Sequence, residues 1–368
     1  MQQNILAGEQ GKRRESAIAI SGQYDHYVRR KNIFLLVSAG LIIALAFKAI
    51  TMGYSQITLT EIYAAIIDYD PSNLYHSIIV NIRLPRVLLA VLAGAVLSVS
   101  GAVMQCLLRN PLASPYTMGI SQAAAFGAAF GIIILNGGYL QGFSTSPVFI
   151  NNPYLVTISA FTWSLCSVFV ILGLAKLTKI TPEAIILAGV AISAIFTASI
   201  TVLQYIADTV QLASIVYWTF GDLGRASWNH LFIMAAASFP VFAYFILNRW
   251  NYNALDAGDE TAKALGVNIS ALRIVGMLAA SLISSVVVSF VGVIGFIGLL
   301  GPHIVKRFIG VDNRHLLPAS LLFGGVILLC SDTLARTMFS PLILPVGVLT
   351  SFMGGPLFLY LLIRRYKR

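Results

Sequence analysis

The residues of this chain equipped for chemistry fall into three clusters. Arg83-Leu84-Pro85-Arg86 sets two arginines on either side of a leucine–proline pair. One arginine beside an apolar run is explained by snorkelling of its head group out of lipid. Two of them, with a proline stiffening the turn, suit charge-assisted pairing with carboxylates, which a planar guanidinium grips as a fork. Arg109-Asn110-Pro111-Leu112-Ala113-Ser114-Pro115 is a proline-locked loop. It reads either as a constriction or as a plain turn, since Asn-Pro is a common turn dipeptide. The third cluster is NYNALDAGDETAKALGV, residues 251–267, where Asp256, Asp259, Glu260 and Lys263 make the most polar interruption in the C-terminal two-thirds of the chain. Within it Gly258 and Gly266 bracket DETAKAL, mostly good helix formers, with Asp259 placed to cap the helix. Such a segment is either a solvated loop or a lever on which another protein pushes.

Outside these clusters little is available for catalysis. The one approach to a phosphate loop, Gly11-Lys12, is followed by Arg13, lacks the upstream glycine and precedes no strand–helix unit. The five histidines form no pair at catalytic or metal spacing, and His303 after Pro302 reads as structural. Cys106, Cys166 and Cys330 lie singly in apolar runs, where cysteine acts as a small hydrophobe. All 14 acidic residues map to a tail, a loop or the end of an apolar run. A charge held at mid-membrane costs at least about 2.5–3.5 kcal/mol and is kept only for use, so proton or sodium coupling has no obvious carrier. The energy for any transport is expected to come from outside the chain.

The elements that must position these clusters are long and apolar. Of 368 residues 58% are hydrophobic and 10% charged, against about 25% charged in soluble domains. Runs of roughly 18 residues or more, each long enough to cross about 30 Å of hydrocarbon as a helix, recur at 33–50, 87–108, 116–135, 154–174, 184–206, 230–247, 316–334 and 346–363. Residues 271–308 form a run too long for one span, which must fold back once, with the break expected in the glycine-rich centre at 292–295. No alternating segments of barrel-strand type are seen. The reading is an all-α polytopic membrane protein of about ten transmembrane helices.

Charge sorts the two sides. With the N-terminus inside and ten spans, 19 of the 24 basic residues fall inside, as the positive-inside rule requires. Only Lys48, Arg83, Arg86, Arg225 and Arg336 fall on or near the outside. The net charge of +10 therefore faces a lipid bilayer and not nucleic acid. Residues 1–31 read as a retained cytoplasmic tail and 32–368 as the transmembrane domain, with a polar stretch to Asn81 holding one short helix from Thr60. Glycines such as Gly127 and Gly131 suit close packing of helix backbones.

Seven blocks give the chain a family likeness: RLPR at 83–86, GAVLSVSGAVMQ at 94–105, RNPLASP at 109–115, GDETAKALGV at 258–267, GFIGLLGPHIVKRFIGVDNRH at 295–315, SDTLAR at 331–336 and PVGVLTSFMGGPLF at 345–358. In that order they resemble the FecCD family, the permease subunits of ABC importers for iron–siderophore, haem and cobalamin complexes. The resemblance implies the type II importer permease fold, with two permease subunits around a central path on two cytoplasmic ABC ATPases, which use ATP and Mg; the chain itself binds no cofactor or metal and catalyses nothing. It implies ATPase coupling through Gly258, Asp259, Glu260, Ala262, Leu265 and Gly266, in a coupling segment 256–268. It implies an inner gate at Asn110 and Leu112 with the loop Thr181, Pro182 and Glu183, and docking of an extracytoplasmic substrate-binding protein on Arg83, Arg86 and Arg336. Gly101, Met104 and Gln105 are expected to line the path, or else to pack in the core. The family pattern is broken at Ile343, where many members carry glutamate, and at Pro182 and Glu183, where small hydroxyl residues are common. An iron–siderophore complex is the first expectation for the cargo, with cobalamin and haem behind. The competing class is an ion-coupled carrier, which neighbouring genes for an ATPase and a binding protein would exclude.

Overall fold

The computed structural model describes residues 2–53, 58, 61, 62, 74–137, 153–177, 181–339 and 342–366. Helices dominate: α1 (Gln2–Thr51), a π-helix (Ser77–Arg83) running directly into α2 (Leu84–Leu107), α3 (Ile120–Ile133), α4 (Pro153–Leu177), α5 (Pro182–Ile206), α6 (Thr209–Thr219), α7 (Trp228–Leu247), α8 (Arg249–Asp256), α9 (Asp259–Ala264), α10 (Ile269–Val291), α11 (Ile297–Ile309), α12 (Asn313–Thr337) and α13 (Val346–Tyr366). Seven helical stretches among the described residues are long and apolar enough to cross a membrane. Each of the ten expected spans contains one helix; α3 and α11 are short, at 14 and 13 residues.

Local sequence accounts for many of the boundaries. Thr181 caps α5 by accepting from the Ala184 amide, Ser227 caps α7 through the His230 amide, and Asn268 caps α10 through the Ala271 amide. Asp208 and Gln211 form a reciprocal capping box at the start of α6. That 11-residue helix was not expected from the apolar runs. The long apolar run breaks where its glycines stand: α10 ends at Val291, Gly292 takes φ 75°, and α11 begins at Ile297. Helix α1 runs through residue 31, the expected boundary between tail and span, without interruption. The short helix expected from Thr60 lies outside the described residues except for Glu61 and Ile62, which are helical.

Helix α2 is the hub of the bundle, packed against α10, α11 and α12. Its buried positions cover nearly its whole circumference, as a helix at the centre of a protein requires. Close approach fixes one of its residues: a Cβ on Gly101 would run into the backbone carbonyl of Gly298 on α11. By contrast α5 and α7 are mostly uncovered, with Tyr205 89% and Phe239 76% exposed. Large bare apolar faces of this kind fit a lipid or protein neighbour.

Candidate functional site: an arginine knot, a glycine-bracketed helix and a cleft

At one end of the bundle, Asp332 on α12 is fully buried and holds two arginines. Arg86 places its Nε 3.1 and 3.2 Å from the two carboxylate oxygens and its Nη2 2.8 Å from Oδ1. One turn along α12, Arg336 donates through Nε to Oδ2 at 3.1 Å. The other nitrogens of Arg336, together with Arg83, reach carbonyls at and just past the C-terminal end of α1, which helical bonding leaves without partners. Arg336 donates to Ala49 and Met52, each at 3.3 Å, and Arg83 to Ile50 and, at 3.2 Å, to Thr51. Cations at a helix C-terminus also meet the favourable end of its dipole. The knot thus ties α1, the π-helix, α2 and α12 together.

The arginines expected to dock a substrate-binding protein are thus engaged within the chain. The side chains of Arg86 and Arg336 are 9% and 7% exposed, and Arg83 is equally buried. Asp332, to which the sequence reading gave no role, lies more than a turn inside α12. A polar residue inside the SDTLAR block was its one visible signal.

At the other end, α9 stands between Gly258 (φ 127°) and Gly266 (φ 80°), where the sequence puts it. Its cap is Gly258, with no side-chain bond; Asp259 is the first helical residue and does not cap the helix as expected. The carboxylate of Asp259 turns instead to Arg273 on α10, whose Nη2 lies 3.0 Å from both oxygens, and to Arg109 Nη1 at 3.7 Å. Ala262 is fully buried and roots the helix, while Glu260, Lys263, Leu265 and Gly266 are exposed, Leu265 by 69%. Helix α8 is anchored beside it: Asn253 donates to Asp312 at 2.9 Å, and Asp256 accepts from Asn313 at 2.8 Å. Asp312 also receives Lys31 at 3.1 Å and Arg314 Nε at 3.0 Å. Burial opposes ionisation of Asp312, but these donors outweigh it and hold the carboxyl well below the usual range.

The loop after α2 is tight. Arg109 adopts φ 46°, Asn110 Oδ1 accepts from the Leu112 amide at 2.8 Å, and Thr117 Oγ1 donates to the Leu112 carbonyl at 3.0 Å. Leu112 is left 43% exposed. Thr181, Pro182 and Glu183 are the N-cap and first residues of α5, a helix-start signature that explains their types; residues 178–180 before them lie outside the described part. The expected path residues are not on an open surface. Gly101 and Met104 are fully buried against neighbouring helices, and Gln105 spans α11, donating to the Gly298 carbonyl at 3.3 Å and accepting from Lys306 at 2.9 Å. Of the two readings, core packing is the one the geometry supports.

What is open lies elsewhere. A cleft of about 440 Å³ runs between the end of α6 (Thr219, Phe220), the α10–α11 break (Val293, Gly295), α13 (Ser351, Phe352) and Tyr116 of the inner loop. Phe352 is 76% exposed. The lining is apolar with a few hydroxyls and no charge. Among the described residues no group of acids, histidines or cysteines is placed to hold a metal ion.

The chain is thus a multi-pass helical membrane protein with a broken apolar run, a short glycine-bracketed helix and an uncharged cleft. Residues 41–364 match the model of the FecCD transport family, and the chain belongs to it; it is an ABC importer permease. An ABC transporter permease protein of Methanocaldococcus jannaschii is 53% identical over 95% of this chain and 99% of its own length. The hemin transport system permease protein HmuU of Yersinia pestis is 39% identical over 91% of this chain and 96% of its own. A solved structure assigned to a metal-chelate type ABC transporter, in an inward-facing conformation, superposes with a TM-score of 0.76 at 29% identity, covering 90% of this chain and 98% of that one.

Proposed function

We propose that two copies of this chain form the transmembrane path of an ATP-driven importer that carries a metal chelate of the iron–siderophore type across the cytoplasmic membrane, with both termini cytoplasmic. Two cytoplasmic ATPases supply the energy, seated on α9, and an extracytoplasmic binding protein delivers the cargo to the end that carries the arginine knot. The observation that carries this reading is the lever itself. A six-residue helix rooted by Ala262 and by the Asp259–Arg273 contact, with Glu260, Lys263 and the capping Leu265 exposed, is built for a protein neighbour. Arg83, Arg86 and Arg336 then act on docking by fixing the face on which the binding protein lands. Asn110 and Leu112 form the gate with the start of α5, and the cleft at Phe352 belongs to the path. An uncharged wall holds a large complex weakly and lets it leave. The chelate class draws support from the hemin-transporting relative and the metal-chelate neighbour; haem and cobalamin are the alternatives within it.

Ion coupling is the weaker reading. Among the described residues Asp332 is the one buried carboxylate, and both of its oxygens are taken up by Arg86 and Arg336, which leaves it no open face for a transported ion. Reconstitution with an ABC ATPase and a substrate-binding protein tests both. Uptake of a ferric siderophore, haem or cobalamin that requires ATP and the binding protein is expected. Uptake driven by a proton or sodium gradient without them would overturn the proposal.

A further inference from the structure

The C-terminal end of α2 leads directly into the inner loop, and its carbonyls are accounted for one by one. Met104, Gln105 and Cys106 accept from the amides of Leu108, Asn110 and Arg109. The next carbonyl, Leu107, accepts from a side chain on another helix: Arg273 Nε at 3.1 Å. The same guanidinium reaches Asp259 through Nη2 at 3.0 Å to both oxygens. Arg273 is 8% exposed, so its charge has little water to fall back on, and a buried charge that loses its partner is strongly unfavourable. Arg109, two residues beyond Leu107 and held at φ 46°, closes the triangle by approaching Asp259 at 3.7 Å.

We infer that Arg273 is the positioning residue that links the ATPase seat to the gate: one rigid fork joins the first residue of α9 to the last of α2, so that displacement of α9 moves the loop carrying Asn110 and Leu112. The inference rests on the reading of α9 as the ATPase seat. Two nitrogens of one planar group work at once, one on a carboxylate and one on a carbonyl. Lysine offers a single ammonium and cannot span both acceptors in this way.

The test uses the whole complex, permease with ATPase and binding protein, in liposomes. ATPase retained on the purified permease reports on the seat, and cargo moved per ATP hydrolysed reports on the link. For Arg273→Met and Arg273→Lys alike, the ATPase is expected to be retained while transport per ATP falls at least fivefold. Asp259→Asn combined with Arg273→Met should be no worse than Arg273→Met alone, since residues acting as one unit are not additive. Wild-type coupling in Arg273→Lys, additive losses in the double variant, or unchanged transport per ATP in Arg273→Met would each overturn the link. Loss of the ATPase from the Arg273 variants would make the residue part of the seat and overturn it as well. Absence of ATPase from the wild-type complex sinks the seat and the link together, so the two readings fail separately. Should Arg273→Met not fold, Arg273→Lys, which keeps the charge, still decides.

Discussion

Asp332 and Asp312 are both carboxylates gripped by basic side chains, yet their settings give opposite experimental behaviour. Asp332 has no exposure and two arginines on it, Arg86 through two nitrogens and Arg336 through one. Removing one partner of a buried ion pair costs about 3–5 kcal/mol because the other charge stays behind. Asp332→Ala should therefore lower the unfolding midpoint in detergent sharply, more than Arg83→Lys does. Equal, small shifts in the two variants would show that the knot is not the anchor of its end of the bundle. The same geometry makes Arg86→Glu a poor probe of docking, since it sets a carboxylate against Asp332. Asp312 sits at the start of α12, outside the span, with its pKa depressed in the folded state. Stability from a depressed carboxyl is full above the unfolded value of about 3.9 and is lost as pH falls toward the folded one. The midpoint difference between wild type and Asp312→Asn should accordingly match at pH 7 and pH 5 and shrink at pH 3. A difference that is constant down to pH 3 would mean that the ionised carboxylate does not hold the corner.

Elements whose signals are local were legible in the chain. The bracket Gly258–Gly266 and the break after Val291 rest on glycines whose positive φ any reader of the sequence can anticipate. The pairing of Arg86 with Asp332 joins residues 246 apart, and nothing in either neighbourhood announces the other. Gly101, Met104 and Gln105 were ambiguous for a related reason: GAVLSVSGAVMQ is small and apolar on every side, so it does not tell a path-facing surface from a packed one. Helix α6 was missed because 11 residues with polar ends fall below the length of a span. At this scale Gly266 offers a clean substitution. A Cβ there meets nothing within 4 Å, so only its φ of 80° resists a side chain. Strain of this kind costs on the order of 1–3 kcal/mol for residues that avoid the left-handed region, whereas asparagine tolerates it. Gly266→Asn should keep transport, and Gly266→Val should lose several-fold in transport per ATP with the membrane bundle intact. Identical behaviour of the two would place the importance of Gly266 in its lack of a side chain rather than in its backbone.

At the scale of the whole molecule, the proposed two-copy path leaves each chain only part of the wall. Its cleft is walled by α6, the α10–α11 break and α13, and it is open along the side where Phe352 is exposed. A channel needs a second wall, and in the proposed arrangement closed two-fold symmetry would supply it with the same surface of a second copy. Under that symmetry each residue near the axis faces its own mate. Leu112 meets the requirement from the inner end: it is exposed, apolar and held by two hydrogen bonds to its own backbone, so its position is defined rather than wandering. Leu112→Cys, in an otherwise cysteine-free chain, should form a disulfide between subunits in the nucleotide-free complex, and the yield should change when ATP binds. Cys106 is buried within the chain, and replacing it together with Cys166 and Cys330 removes competing thiols. Cross-linking that fails in every nucleotide state would take Leu112 off the axis. Cross-linking that ignores nucleotide would keep it there but deny it the part of a gate.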